Sequence, residues 1–374
     1  MRVALLHDYL NQYGGGERVL EALVDIFPEA DIYTLFYDER KTLGRFKNRV
    51  KKTSFLDWPI VRNHHRWFIP FMPLASKTVF VNGQYDLVIS DTAGFAKGFN
   101  LSRWASKSFH LCYVHTPLRY AWEPDYINSK FKNKNSKFRN LFLKPNHNYL
   151  KRWDYKVGQK PDVLLANSNF IADKIKKYYN RDAEVAYPPV NVSQFFYEPK
   201  QTREAETYYL AIGRMLHYKR FDLIIESFAK LGLPLKIIGS GPEDQNLKVI
   251  SHNLKAKNIE FIPFVDDENK LRKIYGGAEA LIFPQVEDFG LVAAEAQACG
   301  SPIIAYRAGG AMEIVEDGVT GILFSEQNSE SLITAVKRSQ SIDFNRKLIS
   351  EKAQRFSQAV FKKQLLAKID QFSI

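Results

Sequence analysis

Residues 2–27 read RVALLHDYLNQYGGGERVLEALVDIF. The short apolar run at residues 2–7 soon meets His7 and Asp8, which suits a buried first strand and not a signal peptide. Asn11 to Gly16 is a polar, glycine-rich turn, and from Glu17 the apolar residues recur at helical spacing. Strand, glycine turn and helix, in that order, open a parallel α/β sheet. Further short apolar runs follow: DLVIS at 86–90, FHLCYVH at 109–115 and DVLLANS at 162–168. Helical patterns accompany them, notably IADKIKKYY at 171–179.

Near Tyr187-Pro188-Pro189 the alternation breaks, and residues 189–206 are polar and irregular, as in a linker. It then restarts with YYLAIG at 208–213, RFDLIIESFAKL at 220–231, LKIIG at 235–239, IEFIP at 259–263, LRKIYGGA at 271–278 and ALIFP at 280–284. PIIAY at 302–306 and GILF at 321–324 complete a second α/β unit, and from about Ser329 the pattern is helical to the end. A chain of 374 residues exceeds one typical core, so two domains are expected, residues 1–188 and 189–356. Two open parallel sheets bind ligands beyond the carboxyl ends of their strands, which predicts a deep cleft served by both.

Hydrophobic residues make up 45% of the chain, as in a globular protein. Cys112 and Cys299 read as reduced core residues, and no Cys/His cluster has the spacing of a zinc site. No apolar run is long enough to cross a bilayer, so a cytoplasmic protein is expected. The net charge of +12 calls for an anionic partner: nucleic acid, lipid or a phosphorylated substrate. The charge is concentrated. Lys130 to Lys156 holds nine Lys or Arg and one acid, Asp154. Arg45 to Phe71 mixes seven Lys or Arg with Trp58, Trp67, Phe68 and Phe71.

Glu287-Asp-Phe-Gly-Leu-Val-Ala-Ala-Glu295 carries the chemistry. It reads as a loop carboxylate, a glycine turn, and a helix starting near Leu291 that bears the second carboxylate. A helix start offers unpaired N–H groups and partial positive charge to a phosphate. Sugar hydroxyls at Glu287, diphosphate at the helix start and ribose at Glu295 would suit a nucleotide sugar. Gly213-Arg214-Met-Leu-His-Tyr-Lys219-Arg220 follows a strand and precedes a helix. A guanidinium fork and an ammonium on one loop grip phosphate oxygens, each such bond contributing about 1.5–3 kcal/mol. Gly14 to Gly16 and Ala308-Gly309-Gly310 are glycine turns past strand ends, where backbone comes close to an anion. His115 ends a strand and opens the dense segment that holds Arg119, Tyr120, Trp122 and Glu123.

These segments resemble the retaining glycosyltransferases of family 4, which have the GT-B fold of two Rossmann-like domains. The matching stretches are GGGERVL at 14–20, HTP at 115–117, ANSNFIADKI at 166–175, GRMLHYKR at 213–220 and EDFGLVAAEAQACGSPIIAYRAGGAMEIVEDGVTGILF at 287–324. EDFG, HTPLRYAWE and LLHDYLNQYGGGERVL look most similar to bacterial mannosyltransferases that build polysaccharides such as lipopolysaccharide O-antigen. The resemblance implies that Arg214 and Lys219 hold the donor diphosphate, Glu287 the sugar hydroxyls and Glu295 the ribose. It implies backbone contacts from Phe289, Gly290 and Leu291, phosphate contact from Gly15 and Gly16, and a sugar contact from His115. It also implies that the last helix, 357–374, returns to the first domain.

The reaction expected on these grounds is metal-independent hexose transfer with retention, by front-face attack, with no bound cofactor. The donor leans to GDP-mannose, its base near Phe264 and Val265 with Asp266 or Glu268 available. A UDP-sugar donor is the alternative. The acceptor would be a glycan or a lipid-linked sugar, and the basic, aromatic segments of the first domain suggest peripheral contact with the anionic inner face of the membrane. An epimerase would consume donor without acceptor. A nucleic-acid-binding protein has no recognised motif here to support it.

Overall fold

A computed structural model describes residues 1–103, 105–123, 136–199 and 207–371, with side chains from His147 onward in the helix Ser136–Gly158. In the basic run Lys130–Lys156, residues 130–135 therefore lie outside the described residues, and the side chains are described only from His147. The chain divides into two compact units, Met1–Pro189 with Phe361–Ile374, and Val190–Val360.

The first unit holds a parallel sheet of β1 (Val3–His7), β2 (Asp31–Thr34), β3 (Val50–Lys52), β4 (Leu87–Thr92), β5 (Phe109–Val114), β6 (Val163–Ala166) and β7 (Glu184–Val185). Their order is β3-β2-β1-β4-β5-β6-β7. Successive residues of a strand face opposite sides, and β1 uses both. Val3 and Leu5 join one core with Val19, Leu20 and Leu23 of α1 (Gly15–Ile26). Ala4 and Leu6 join the other with Val61, Ile69 and Met72. A sheet buried on both faces explains why its central strands β1, β4, β5 and β6 read as apolar runs.

The second unit holds β8 (Tyr209–Ile212), β9 (Leu235–Ile238), β10 (Ile259–Ile262), β11 (Leu281–Phe283), β12 (Ile303–Tyr306) and β13 (Gly321–Phe324), in the order β10-β9-β8-β11-β12-β13 and all parallel. Phe221, Ile224 and Phe228, an i, i+3, i+7 stripe on α2 (Phe221–Leu231), pack into its core.

Two expectations change. The stretch read as a linker is in part packed: Phe195 is buried against Tyr275, and the Val190 amide donates to the Phe356 carbonyl at 2.7 Å. A buried aromatic anchors chain that polarity alone marks as loose; residues 200–206 lie outside the described residues. The C-terminal helical stretch is three α-helices, Ser329–Gln340, Arg346–Ala353 and Gln358–Asp370, with Asn345 capping the second through the Leu348 amide. The last of them puts Phe361, Leu365 and Ile369, one residue per turn, into the first unit's core.

Candidate functional site

In the second unit β8 and β11 are neighbours, although β9 and β10 come between them in sequence. Loops leaving such a pair diverge to opposite faces and open a crevice at the carboxyl edge. The loop after β8 carries Gly213 to Lys219, and the loop after β11 carries Glu287 to Gly290. Across the crevice Lys219 Nζ forms an ion pair with Glu287 Oε1, their side chains only 12% and 18% exposed. Arg214, on the same loop as Lys219, is exposed and has no ion-pair partner among the described residues.

The helix α3 (Leu291–Ala298) begins behind Gly290, whose φ of +108° suits glycine, and no side chain caps it. Its first turn thus offers N–H groups and the positive end of the dipole. Glu295 lies further along α3, buried, and accepts a hydrogen bond from Tyr275 Oη at 3.2 Å. Phe289 is buried with its ring edge-on to Phe356.

Two glycine turns set these loops in place. A Cβ on Gly309 would lie 2.4 Å from the Glu287 carbonyl oxygen, and one on Gly310 2.2 Å from that of Phe289. The Gly310 amide donates to Glu287 O at 2.9 Å, so the 308–310 turn backs the carboxylate loop. On the other side, a Cβ on Gly239 would lie 2.1 Å from Gly213 O, and one on Gly241 2.4 Å from Met215 O. Gly239-Ser-Gly241 was missed in the sequence, although a Gly-X-Gly directly after the run LKII was its signal. Val265 stands elsewhere: it follows the edge strand β10, two strands from β8, beside the exposed Phe264.

The first unit has a comparable crossing at β1 and β4, and three strand ends meet there. Asp91 of β4 is fully buried and bridges two imidazoles, His7 Nδ1 at 2.8 Å and His115 Nε2 at 2.6 Å. His7 Nε2 also faces Glu17 Oε1 at 3.9 Å, and the other oxygen of Glu17 accepts from the Gly14 amide at 2.9 Å. Burial disfavours charge on His7, yet the hydrogen bonds and charges of Asp91 and Glu17 outweigh it and raise its pKa to about 10. Burial likewise opposes ionised Asp91, but the two imidazoles hold it down at about 2. His115 is raised as well, through Asp91 against burial. Gly16 lies over the group: its Cβ would meet both His115 Nε2 and His7 Cε1 at 3.7 Å. Gly15 and Gly16 begin α1, with Gly14 at its N-cap. Of this cluster the sequence singled out Gly15, Gly16 and His115. His7, Glu17 and Asp91 were missed as members, and their signal was a polar residue at a strand end or first helical turn.

Asp8 is structural. Its carboxylate accepts from the Ala93, Phe95 and Ala96 amides at 2.6–2.8 Å and fixes the loop after β4. Buried Lys97 pairs with Asp154 at 2.8 Å, and Trp122 Nε1 and Tyr179 Oη donate to the same carboxylate.

Two family models match successive stretches of the chain. Glycosyltransferase Family 4 covers residues 13–194, and Glycosyl transferases group 1 covers 193–362. The D-inositol 3-phosphate glycosyltransferase of Mycobacterium sp. (strain KMS) is 30% identical over 188 residues, 46% of this chain and 43% of that protein. The glycogen synthase of Thermodesulfovibrio yellowstonii is 29% identical over 192 residues, 50% of this chain and 36% of that protein. The chain thus spans less than half the length of these curated relatives. Among solved structures, Anabaena Alr3699/HepE in complex with UDP-glucose superposes with a TM-score of 0.72 at 17% identity, covering 99% of this chain and 100% of that one. The lipopolysaccharide outer core galactosyltransferase WaaB in its apo form gives 0.69 at 17% identity, covering 99% of each chain.

Proposed function

The chain belongs to the glycosyltransferases of GT-B fold, a family 4 domain followed by a group 1 domain, and from that premise we propose that it transfers a hexose with retention from a nucleotide sugar to a glycan or lipid-linked acceptor. The observation that carries this reading is the Lys219–Glu287 pair at the β8/β11 crossing, beside the uncapped start of α3. A diphosphate draws Lys219 and Arg214 to itself, and Glu287, released from Lys219, accepts from sugar hydroxyls. The backbone of Phe289, Gly290 and Leu291 lines the same path, and Glu295 meets the ribose. To the first unit's cluster we assign a phosphate contact at Gly15 and Gly16 and a sugar hydroxyl contact at His115.

In the reaction the bond from the anomeric carbon to the phosphate oxygen breaks, and its electron pair leaves with the nucleoside diphosphate. The acceptor oxygen bonds to that carbon on the face the phosphate is leaving, and its proton passes to a departing phosphate oxygen. Arg214, Lys219 and the helix dipole offset the growing negative charge.

GDP-mannose is the proposed donor, supported by the likeness of LLHDYLNQYGGGERVL, HTPLRYAWE and EDFG to polysaccharide mannosyltransferases, with the base beside Val265. A UDP-hexose is the second reading, favoured by the UDP-glucose in the Anabaena neighbour. Thermal shift with GDP-mannose, UDP-glucose and UDP-GlcNAc separates them, because a ligand that binds only the native state raises apparent stability. No shift with any of them, together with unchanged turnover in Arg214→Ala, refutes the proposal.

A further inference from the structure

The polar segment that opens the second unit packs two aromatic rings onto one helix, Glu268–Gly277. Phe195 is buried edge-on to Tyr275, their ring centroids 6.0 Å apart and their planes at 72°. One turn earlier on the helix, the Arg272 guanidinium lies over the Phe196 ring at 4.1 Å and pairs with Glu198 at 3.3 Å. Tyr275 itself is fully buried, so its ring has no room to turn. Its hydroxyl crosses to α3 and donates to Glu295 Oε2 at 3.2 Å.

A phenylalanine at 275 would fill the same space, so the hydroxyl is what needs a reason. Part of the reason is local. Glu295 is buried, and a buried carboxylate is costly without donors. A donor of fixed position does more than offset that cost. Glutamate is a long side chain with many rotamers, and ordering it only when a ligand arrives lowers affinity. Here α3 holds the backbone end of Glu295 and Tyr275 holds the carboxylate end, so one rotamer is selected in advance. Glu295 stands one turn past the start of α3, the end proposed to meet the diphosphate. The setting of its carboxylate relative to that start decides whether a ribose on the same nucleotide is met. Two hydroxyls on neighbouring ring carbons both donate to one carboxylate only when its plane is correctly turned.

We infer that Tyr275 is a positioning residue that sets the preference for ribose over 2′-deoxyribose, acting through Glu295. The inference rests on the ribose role proposed for Glu295 and goes beyond it by naming what orients that carboxylate. The test is calorimetric titration of the full chain with GDP against 2′-deoxy-GDP, and with UDP against 2′-deoxy-UDP. Each protein is read by its own ribo-to-deoxy affinity ratio, so an inactive fraction cancels. The wild type should prefer the ribonucleotide by about tenfold or more, the size of one hydrogen bond to a charged group. Tyr275→Phe keeps the ring against Phe195 and should lose most of that preference. In steady-state kinetics its loss should fall on the donor KM more than on kcat. Glu295→Gln should lose the same preference, and the double variant should lose no more than either single one, because the two side chains act as a unit. Losses that add in the double variant overturn the positioning role and leave the ribose role of Glu295 standing. So does a Tyr275→Phe protein that keeps the full preference while Glu295→Gln loses it. The same ratio in wild type and Glu295→Gln overturns both roles, as does binding of neither ribonucleotide.

Discussion

Replacing Asp91 by asparagine removes the buried carboxylate that His7 and His115 share. The amide has nearly the same shape, so the change isolates charge. His7 then faces only Glu17, at 3.9 Å, and loses the partner that kept it protonated at neutral pH. Raising an imidazole from 6.5 to about 10 corresponds to about 5 kcal/mol at 1.36 kcal/mol per pH unit. Removing one partner of a buried ion pair costs about 3–5 kcal/mol, so a loss in that range is expected. The sign of the pH dependence follows. A raised folded-state pKa gives stability that is complete below 6.5 and is lost as pH rises toward about 10. The depressed Asp91 gives stability present above 3.8 and lost as pH falls toward about 2. The assay is urea unfolding followed by tryptophan emission. All five tryptophans lie within residues 1–189, so the signal reports the first unit alone. Wild-type protein should weaken from pH 7 to 10, and Asp91→Asn should start lower with a flatter alkaline limb. A variant within about 1 kcal/mol of wild type, with the same alkaline slope, would show that the bridge does not hold this sheet edge together.

Arg214→Ala should cut turnover by about 10²–10³, as removal of one preorganised donor does, with stability unchanged within about 0.5 kcal/mol because the side chain is exposed; steady-state kinetics and a melt check both halves. Gly309→Ala places a methyl 2.4 Å from Glu287 O at a φ of +66°, so the carboxylate loop must move. Nucleotide-sugar affinity, measured by calorimetry, should fall while free-nucleotide affinity falls less. Lys97→Met strands the buried Asp154 carboxylate and should cost about 3–5 kcal/mol in the same tryptophan-detected unfolding.

Most elements were legible because their signals are local. Short apolar runs and glycine turns mark β1, β4, β5 and the whole second sheet, and the structure moves their ends by only a residue or two. The strands β2, β3 and β7 (DIYT, VKK and EV) hold no apolar run to be read, and partners in the sheet define them. The donor loops were legible as residue types after strand ends. The contact between Lys219 and Glu287, 68 positions apart, was not.

By itself the sequence determined the parallel α/β class, the two units, and the loops that bear Arg214, Lys219 and Glu287, because periodicity and turn chemistry act over a few residues. Tertiary structure alone decided that His7 and Asp91, 84 positions apart, are partners in register on adjacent strands. It also decided that Gly309 and Gly310 back the Glu287 loop and do not merely turn the chain. Those contacts depend on which strands lie side by side, and long-range pairing leaves no local trace in the residues it joins.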